Sequence, residues 1–218
     1  MDLTTFAPGF VLGVLAFAAV FCSVRWLIGP GHRLLATDRP GRRSLHDAPT
    51  ATGGGIAIFM TVLVIGIVIS FLYSIVGWTT IGVAAFLVAL ISFVDDHKPL
   101  TPWLRLSVHI VASGMLMSAG LVPDSLGGPG IVLPLGPWLG IVFCGFYIVW
   151  MMNLYNFMDG MDGFAGGMST IGFSTYALCG VFAGEPAFFS VSLVIAAASA
   201  GFLVFNFPPA KIFMGDVG

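Results

Sequence analysis

Seven apolar stretches punctuate this chain, near Pro8–Ile28, Gly54–Val76, Thr79–Val94, Leu104–Val122, Pro137–Asn156, Phe164–Ala183 and Pro186–Phe207. A helix that crosses a bilayer needs roughly 20 predominantly apolar residues, and all but Thr79–Val94 come close to that length. Charged residues make up 8% of the sequence, against about 25% in soluble domains, so the chain cannot dress a water-facing surface. The expected fold is all-α: a polytopic transmembrane helical bundle of about seven spans, in a single membrane domain over residues 1–218. No basic segment precedes the first apolar run, so no cleaved signal peptide is expected. Cys22, Cys144 and Cys179 lie inside apolar runs without a CxxC or Cys/His cluster, which suits small apolar filler rather than disulfides or zinc.

The connecting segments sort by charge. If every stretch crosses, Gly29–Gly53, Asp95–Trp103, Phe157–Gly163 and the tail from Pro208 share one side. All eight basic residues, Arg25, Arg33, Arg39, Arg42, Arg43, Lys98, Arg105 and Lys211, fall in or beside those segments. Basic loops stay in the cytoplasm, so the N-terminus is expected outside. The same parity places Asp38, Asp47, Asp95, Asp96, Asp159, Asp162 and Asp216 inside, leaving Asp2, Asp124 and Glu185 outside. No acid falls near mid-span, where ion-coupled transporters place theirs. Trp26, Trp78, Trp103 and Trp138 fall near span ends, as interfacial anchors do. The Pro/Gly-rich Pro123–Gly136 segment reads as an irregular loop with room for a short hairpin.

Four motifs on the inner side could carry chemistry. Asp95-Asp96 ends the third stretch; adjacent carboxylates leaving lipid repel each other, and either a divalent cation or plain solvation of a helix end would relieve them. Asn153, Asn156, Asp159 and Asp162 recur every third residue, which gathers neighbours toward one face. Gly160 and Gly163 permit a tight turn there. A capped helix end explains one Asn and one Gly but not four polar groups in register. Phe213-Met214-Gly215-Asp216-Val217-Gly218 gains weight as the third acidic cluster on one side. The first inner loop carries Arg42, Arg43 and His46 and leads to Gly53-Gly54-Gly55. Its arginines suit phosphates, and glycines opening a helix expose amides that can hold an anion, although positive-inside topology alone would require the basic residues. His109 is expected to hydrogen-bond between helices. His97 fits either reading, and His32 reads as a loop residue. Several carboxylates facing several arginines suggest Mg²⁺ held with phosphates, and so phosphoryl transfer at a membrane surface.

The motifs DRPGRRSLHDAPTATGGG, SFVDD, NLYNFMDGMDGFAGG and IFMGDVG, in that order, resemble the polyprenyl-phosphate N-acetylhexosamine-1-phosphate transferase superfamily, glycosyl transferase family 4. The resemblance runs along essentially the whole chain and lies nearer the O-antigen-initiating branch than the peptidoglycan translocase. It implies an enzyme of the bacterial inner membrane, active on its cytoplasmic face, that joins a UDP-activated N-acetylated sugar-1-phosphate to a polyprenyl phosphate and releases UMP. It implies Mg²⁺, with Mn²⁺ as the alternative ion. Asp216, Asp96 and Asn156 would serve the metal, and Asp95, Asp96, Asp159 and Asp162 the catalysis. Asn153, Asn156, Arg42, Arg43, His46, Gly53, Gly54 and Gly55 would bind substrate. Beyond membrane, UDP-sugar and lipid, a homodimer is allowed and no nucleic acid is expected.

Members of that family have about ten or eleven spans, so the sequence reads as an N-terminal portion lacking the later spans and a histidine-bearing loop, inactive alone. Two other readings compete. A CDP-alcohol phosphotransferase shares the Asp-x-x-Asp-Gly core, but Phe164-Ala165-Gly166-Gly167 follows here instead of Ala-Arg and a second aspartate pair. A transporter would need the mid-span acids or repeat symmetry that this sequence lacks.

Overall fold

The computed structural model describes residues 3–29, 36–38, 50–128 and 130–217. Among them are seven α-helices: α1 (Ala7–Leu27), α2 (Gly55–Tyr73), α3 (Trp78–His97), α4 (Pro102–Ser118), α5 (Gly136–Met158), α6 (Phe164–Ala183) and α7 (Pro186–Asn206). They match the seven apolar stretches one for one, and the protein is an all-α helical membrane protein. Prolines open α1, α4 and α7 within their first two positions, where the missing N–H costs no intrahelical bond. Five helices, α1 (extended back to Thr4), α2, α3, α5 and α7, are long and apolar enough to cross a membrane. α4 has 17 residues and carries Arg105 and His109, and α6 interrupts its apolar run with Ser, Thr and Gly. The third helix is longer than Thr79–Val94: it runs through Asp95, Asp96 and His97, so the acid pair occupies its last turn instead of the loop beyond.

Two compact units emerge. One holds the described residues up to Ile75 and from Met158 onward; the other is Val76–Phe157.

In the first unit α7 is the central helix, with Phe189, Val194, Ala198, Phe202 and Asn206 buried. Small residues set its spacing from α1. A methyl group added at Gly201 would come 2.7 Å from the Phe17 carbonyl oxygen, and one at Gly9 would come 2.6 Å from Ser190 Oγ. Such close backbone approach stabilises helix pairs in lipid, where apolar burial itself contributes little. α6 approaches α7 in the same way at Gly180, whose added methyl would lie 2.8 Å from the Phe189 amide nitrogen. Outward faces carry large apolar groups such as Phe10, Val14, Phe71 and Phe182, as contact with acyl chains requires.

The same unit carries a three-stranded sheet of order β1-β2-β5, formed by Ala36–Asp38, Thr50–Thr52 and Ile212–Phe213. β1 and β2 are antiparallel, whereas β2 and β5 are parallel, with Ala51 opposite Ile212 and Thr52 opposite Phe213. The tail expected as a loop therefore folds back as a strand. At the other end of this unit Tyr73 Oη donates to the Thr5 carbonyl and accepts from Ser190 Oγ, which places the start of α1, the end of α2 and the start of α7 together.

In the second unit α3 and α4 form an antiparallel pair, and the hairpin β3 (Ser125–Gly128) with β4 (Ile131–Pro134) precedes α5. This is the short hairpin for which the Pro/Gly-rich segment left room. Gly140 packs against the Pro123 carbonyl, where an added methyl would lie at 2.9 Å. Cys22, Cys144 and Cys179 are free thiols. Cys144 Sγ donates to the Leu121 carbonyl.

Candidate active site

α5 stops at Met158 because Asp159, Gly160 and Gly163 favour a turn over another helical turn. Gly163 takes φ +70° immediately before α6. The turn faces the segment that leaves α7 through a cis Pro208–Pro209 peptide. Asp162 Oδ2 accepts the Ala210 N–H at 3.0 Å. Asp159 spreads its carboxylate over two consecutive amides, Met214 N–H at 3.1 Å to Oδ1 and Gly215 N–H at 2.6 Å to Oδ2. Gly215 sits at φ +74°, and Asp216 follows it, half-buried.

The segment is held from its other side as well. Gly53 and Gly54 N–H donate to the Phe213 carbonyl at 3.2 and 3.0 Å, and Gly55 N–H donates to the Met214 carbonyl at 2.8 Å. The expectation that these amides hold an anion is corrected here: they are committed to carbonyls. Gly54 also serves packing, since a methyl there would come 2.5 Å from Phe202 Cε2. Asn206 is a further member that sequence reasoning misses. Its Nδ2 donates to the Ile212 carbonyl at 2.9 Å, and its Oδ1 is buried with no partner among the described residues. An amide in the last turn of an apolar stretch is the signal that singles out Asn153 and Asn156, and it applies equally to Asn206.

The second unit holds the acid pair. Asp95 Oδ1 accepts the Leu100 N–H at 2.6 Å, and Oδ2 accepts Arg105 Nη1 at 2.7 Å. The ion pair is well shielded, with 11% of the Asp95 side chain and 27% of the Arg105 side chain exposed. Asp95 thus ties the end of α3 to the start of α4. Asp96 is half-buried in the same turn. His97 Nδ1 lies 2.9 Å from the Phe93 carbonyl, a local contact within its own helix. Asn153 Nδ2 donates to the Val149 carbonyl at 2.7 Å and to His109 Nδ1 at 3.3 Å, so His109 is the interhelical hydrogen-bonder expected. Asn156 is half-buried near the end of α5. Arg42, Arg43 and His46 lie outside the described residues.

Within neither unit do three His, Cys, Asp or Glu side chains converge among the described residues. Asp216 offers carboxylate oxygen, the hard donor Mg²⁺ prefers, whereas the Ile212, Phe213 and Met214 carbonyls already accept from Asn206 and the Gly53–Gly55 amides.

Apolar helices long enough to cross a membrane, with carboxylate-bearing turns at helix ends, one gripping a Gly-Asp segment, define the class: an all-α helical membrane protein. The profile of glycosyl transferase family 4 matches residues 78–218, and the chain belongs to that family. The match displaces the CDP-alcohol phosphotransferase and transporter readings. The chain is 37% identical over 185 residues to a Bacillus subtilis protein named "Probable undecaprenyl-phosphate N-acetylglucosaminyl 1-phosphate transferase", covering 84% of this chain and 51% of that relative. It is 30% identical over 194 residues to the phospho-N-acetylmuramoyl-pentapeptide-transferase of Streptococcus thermophilus, covering 81% and 57%. To the decaprenyl-phosphate N-acetylglucosaminephosphotransferase of Mycolicibacterium smegmatis it is 30% identical over 231 residues, covering 95% and 56%. The chain therefore spans about half the length of these relatives.

Proposed function

We propose that the protein to which this chain belongs transfers an N-acetylated sugar-1-phosphate from a UDP-sugar to a polyprenyl phosphate in the bacterial inner membrane. The reaction releases UMP and takes place on the cytoplasmic face, as the first membrane step of envelope polysaccharide synthesis. The observation that supports this most is the Asp159–Asp162 turn hydrogen-bonded to the segment ending in Asp216, in a chain whose relatives are named for this transfer. A phosphate oxygen of the lipid attacks the β-phosphorus of the UDP-sugar, and the bond from that phosphorus to the UMP oxygen breaks.

Asp216 is proposed to hold Mg²⁺, which when bound would neutralise charge building on the phosphates. Asp96 is the candidate to act at the lipid phosphate, while Asp95 fixes the turn that carries it. Asp159 and Asp162 are proposed to border the nucleotide-sugar site, and Arg42, Arg43 and His46 to bind phosphates. Catalysis of this kind is mostly positioning and charge neutralisation.

The test uses the full-length protein in lipid nanodiscs with undecaprenyl phosphate, Mg²⁺ and a panel of UDP-N-acetylhexosamines. UMP and a lipid-linked sugar diphosphate should appear together. Asp216→Asn should lower turnover by roughly a hundredfold or more, the scale of losing a transition-state electrostatic contact, and EDTA should stop it. Full turnover by Asp216→Asn, or UMP release without a lipid product, would defeat the reading.

A further inference from the structure

The segment before Asp216 is gripped along its length by groups from three separate places in the chain. Asp162 accepts Ala210 N–H, Asn206 donates to the Ile212 carbonyl, the Gly53–Gly55 amides donate to the Phe213 and Met214 carbonyls, and Asp159 accepts the amides of Met214 and Gly215. Phe213 and Met214 are buried. The two amides that Asp159 accepts immediately precede Asp216, at a glycine with φ +74°, so they fix the direction in which the Asp216 side chain leaves the backbone. A carboxylate bridging adjacent amides makes charge-assisted bonds, roughly twice as strong as neutral ones, and holds a turn that glycine would otherwise leave loose.

We infer that Asp159 is a positioning residue: it acts through the Met214–Gly215 backbone to aim the Asp216 carboxylate, with Asp162 securing the same segment at Ala210. This deepens the proposed function and rests on it for the role of Asp216, but the hydrogen bonds can be read without any transfer reaction. A direct part in binding the cation would have to use the remaining lone pairs of the Asp159 carboxylate. Asp159→Asn keeps one acceptor oxygen and turns an NH₂ toward the other amide, whichever way the side chain lies.

The experiment is amide hydrogen exchange, read by mass spectrometry over peptides spanning residues 205–217, on the full-length protein in nanodiscs. Mn²⁺ binding is measured on the same samples by electron paramagnetic resonance. Asp159→Asn should speed exchange at Met214 and Gly215 by roughly tenfold, the scale of losing one charge-assisted bond, and weaken Mn²⁺ binding by a similar factor. Asp216→Asn should weaken Mn²⁺ binding at least as much while leaving exchange at Met214 and Gly215 within about twofold of the parent. Asp162→Asn should speed exchange at Ala210 more than at Gly215.

If Asp159→Asn is not recovered folded, Asp159→Glu keeps the charge, displaces the carboxylate by one methylene, and reads the same amides. Unchanged exchange in the Asp159 variant would overturn the inference. Faster exchange with undiminished Mn²⁺ binding would overturn the link to Asp216. Absence of UMP release in the parent protein would strike the proposed function alone and leave the exchange result standing.

Discussion

Aspartates that look alike in the sequence do different work in the structure. Asp95 spends both carboxylate oxygens on Leu100 N–H and Arg105, so its role is to shape the α3–α4 turn. The charge-assisted bonds it makes are each worth about 1.5–3 kcal/mol when a partner is removed. Asp95→Asn should lower the unfolding midpoint measurably and lose turnover only in step with that destabilisation. Asp96→Asn should shift the midpoint less and cost more of the UMP release. Thermal unfolding in detergent beside a UMP assay checks this, and equal losses of stability in both variants would refute the division. No spacing rule separates the two residues, because adjacent carboxylates at a helix end present the same pattern whichever one turns back to the chain.

Helix packing makes a sharper demand. α1 and α7 meet at Gly201, where an added methyl would strike the Phe17 carbonyl at 2.7 Å, a backbone atom that cannot step aside. Gly201→Ala should therefore force the helices apart and destabilise the protein by about 1–3 kcal/mol, the usual cost of overpacking. At Gly172, in α6, an added methyl would meet nothing within 4 Å. Gly172→Ala should be neutral or stabilising by about 0.5–1 kcal/mol, since a helix interior prefers Ala to Gly. Chemical denaturation of the two variants side by side reads the difference, and a neutral Gly201→Ala would remove the close-packed seam from the account. Both glycines sit in apolar helices and look equivalent until the neighbouring helix is in place.

For the whole molecule, the sorting of all eight basic residues onto one side of the seven stretches predicts, by the inside-positive rule, which segments face the cytoplasm. Single cysteines placed at Lys98 and Lys211, in a background with Cys22, Cys144 and Cys179 replaced, should react with a membrane-impermeant maleimide only from the cytoplasmic side. Cysteines at Asp124 and Glu185 should react from the opposite side of intact cells. Labelling of Lys98→Cys or Lys211→Cys from outside would invert the topology and remove the proposed cytoplasmic active face.

The amino-acid sequence by itself determined the membrane class, the seven helices and the placing of polar clusters at their ends. Those properties follow from local quantities: the length of an apolar run, the scarcity of charge, and the turn chemistry of Gly, Pro and Asp. Only the tertiary structure decided what each polar group faces. The parallel pairing of Thr50–Thr52 with Ile212–Phe213, the capture of the Gly53–Gly55 amides by carbonyls and the grip of Asp159 on the chain before Asp216 join segments far apart in sequence. A hydrogen bond depends on the distance and angle between two particular atoms. For these residues that geometry arises only when α2, α6 and α7 pack and bring their ends together.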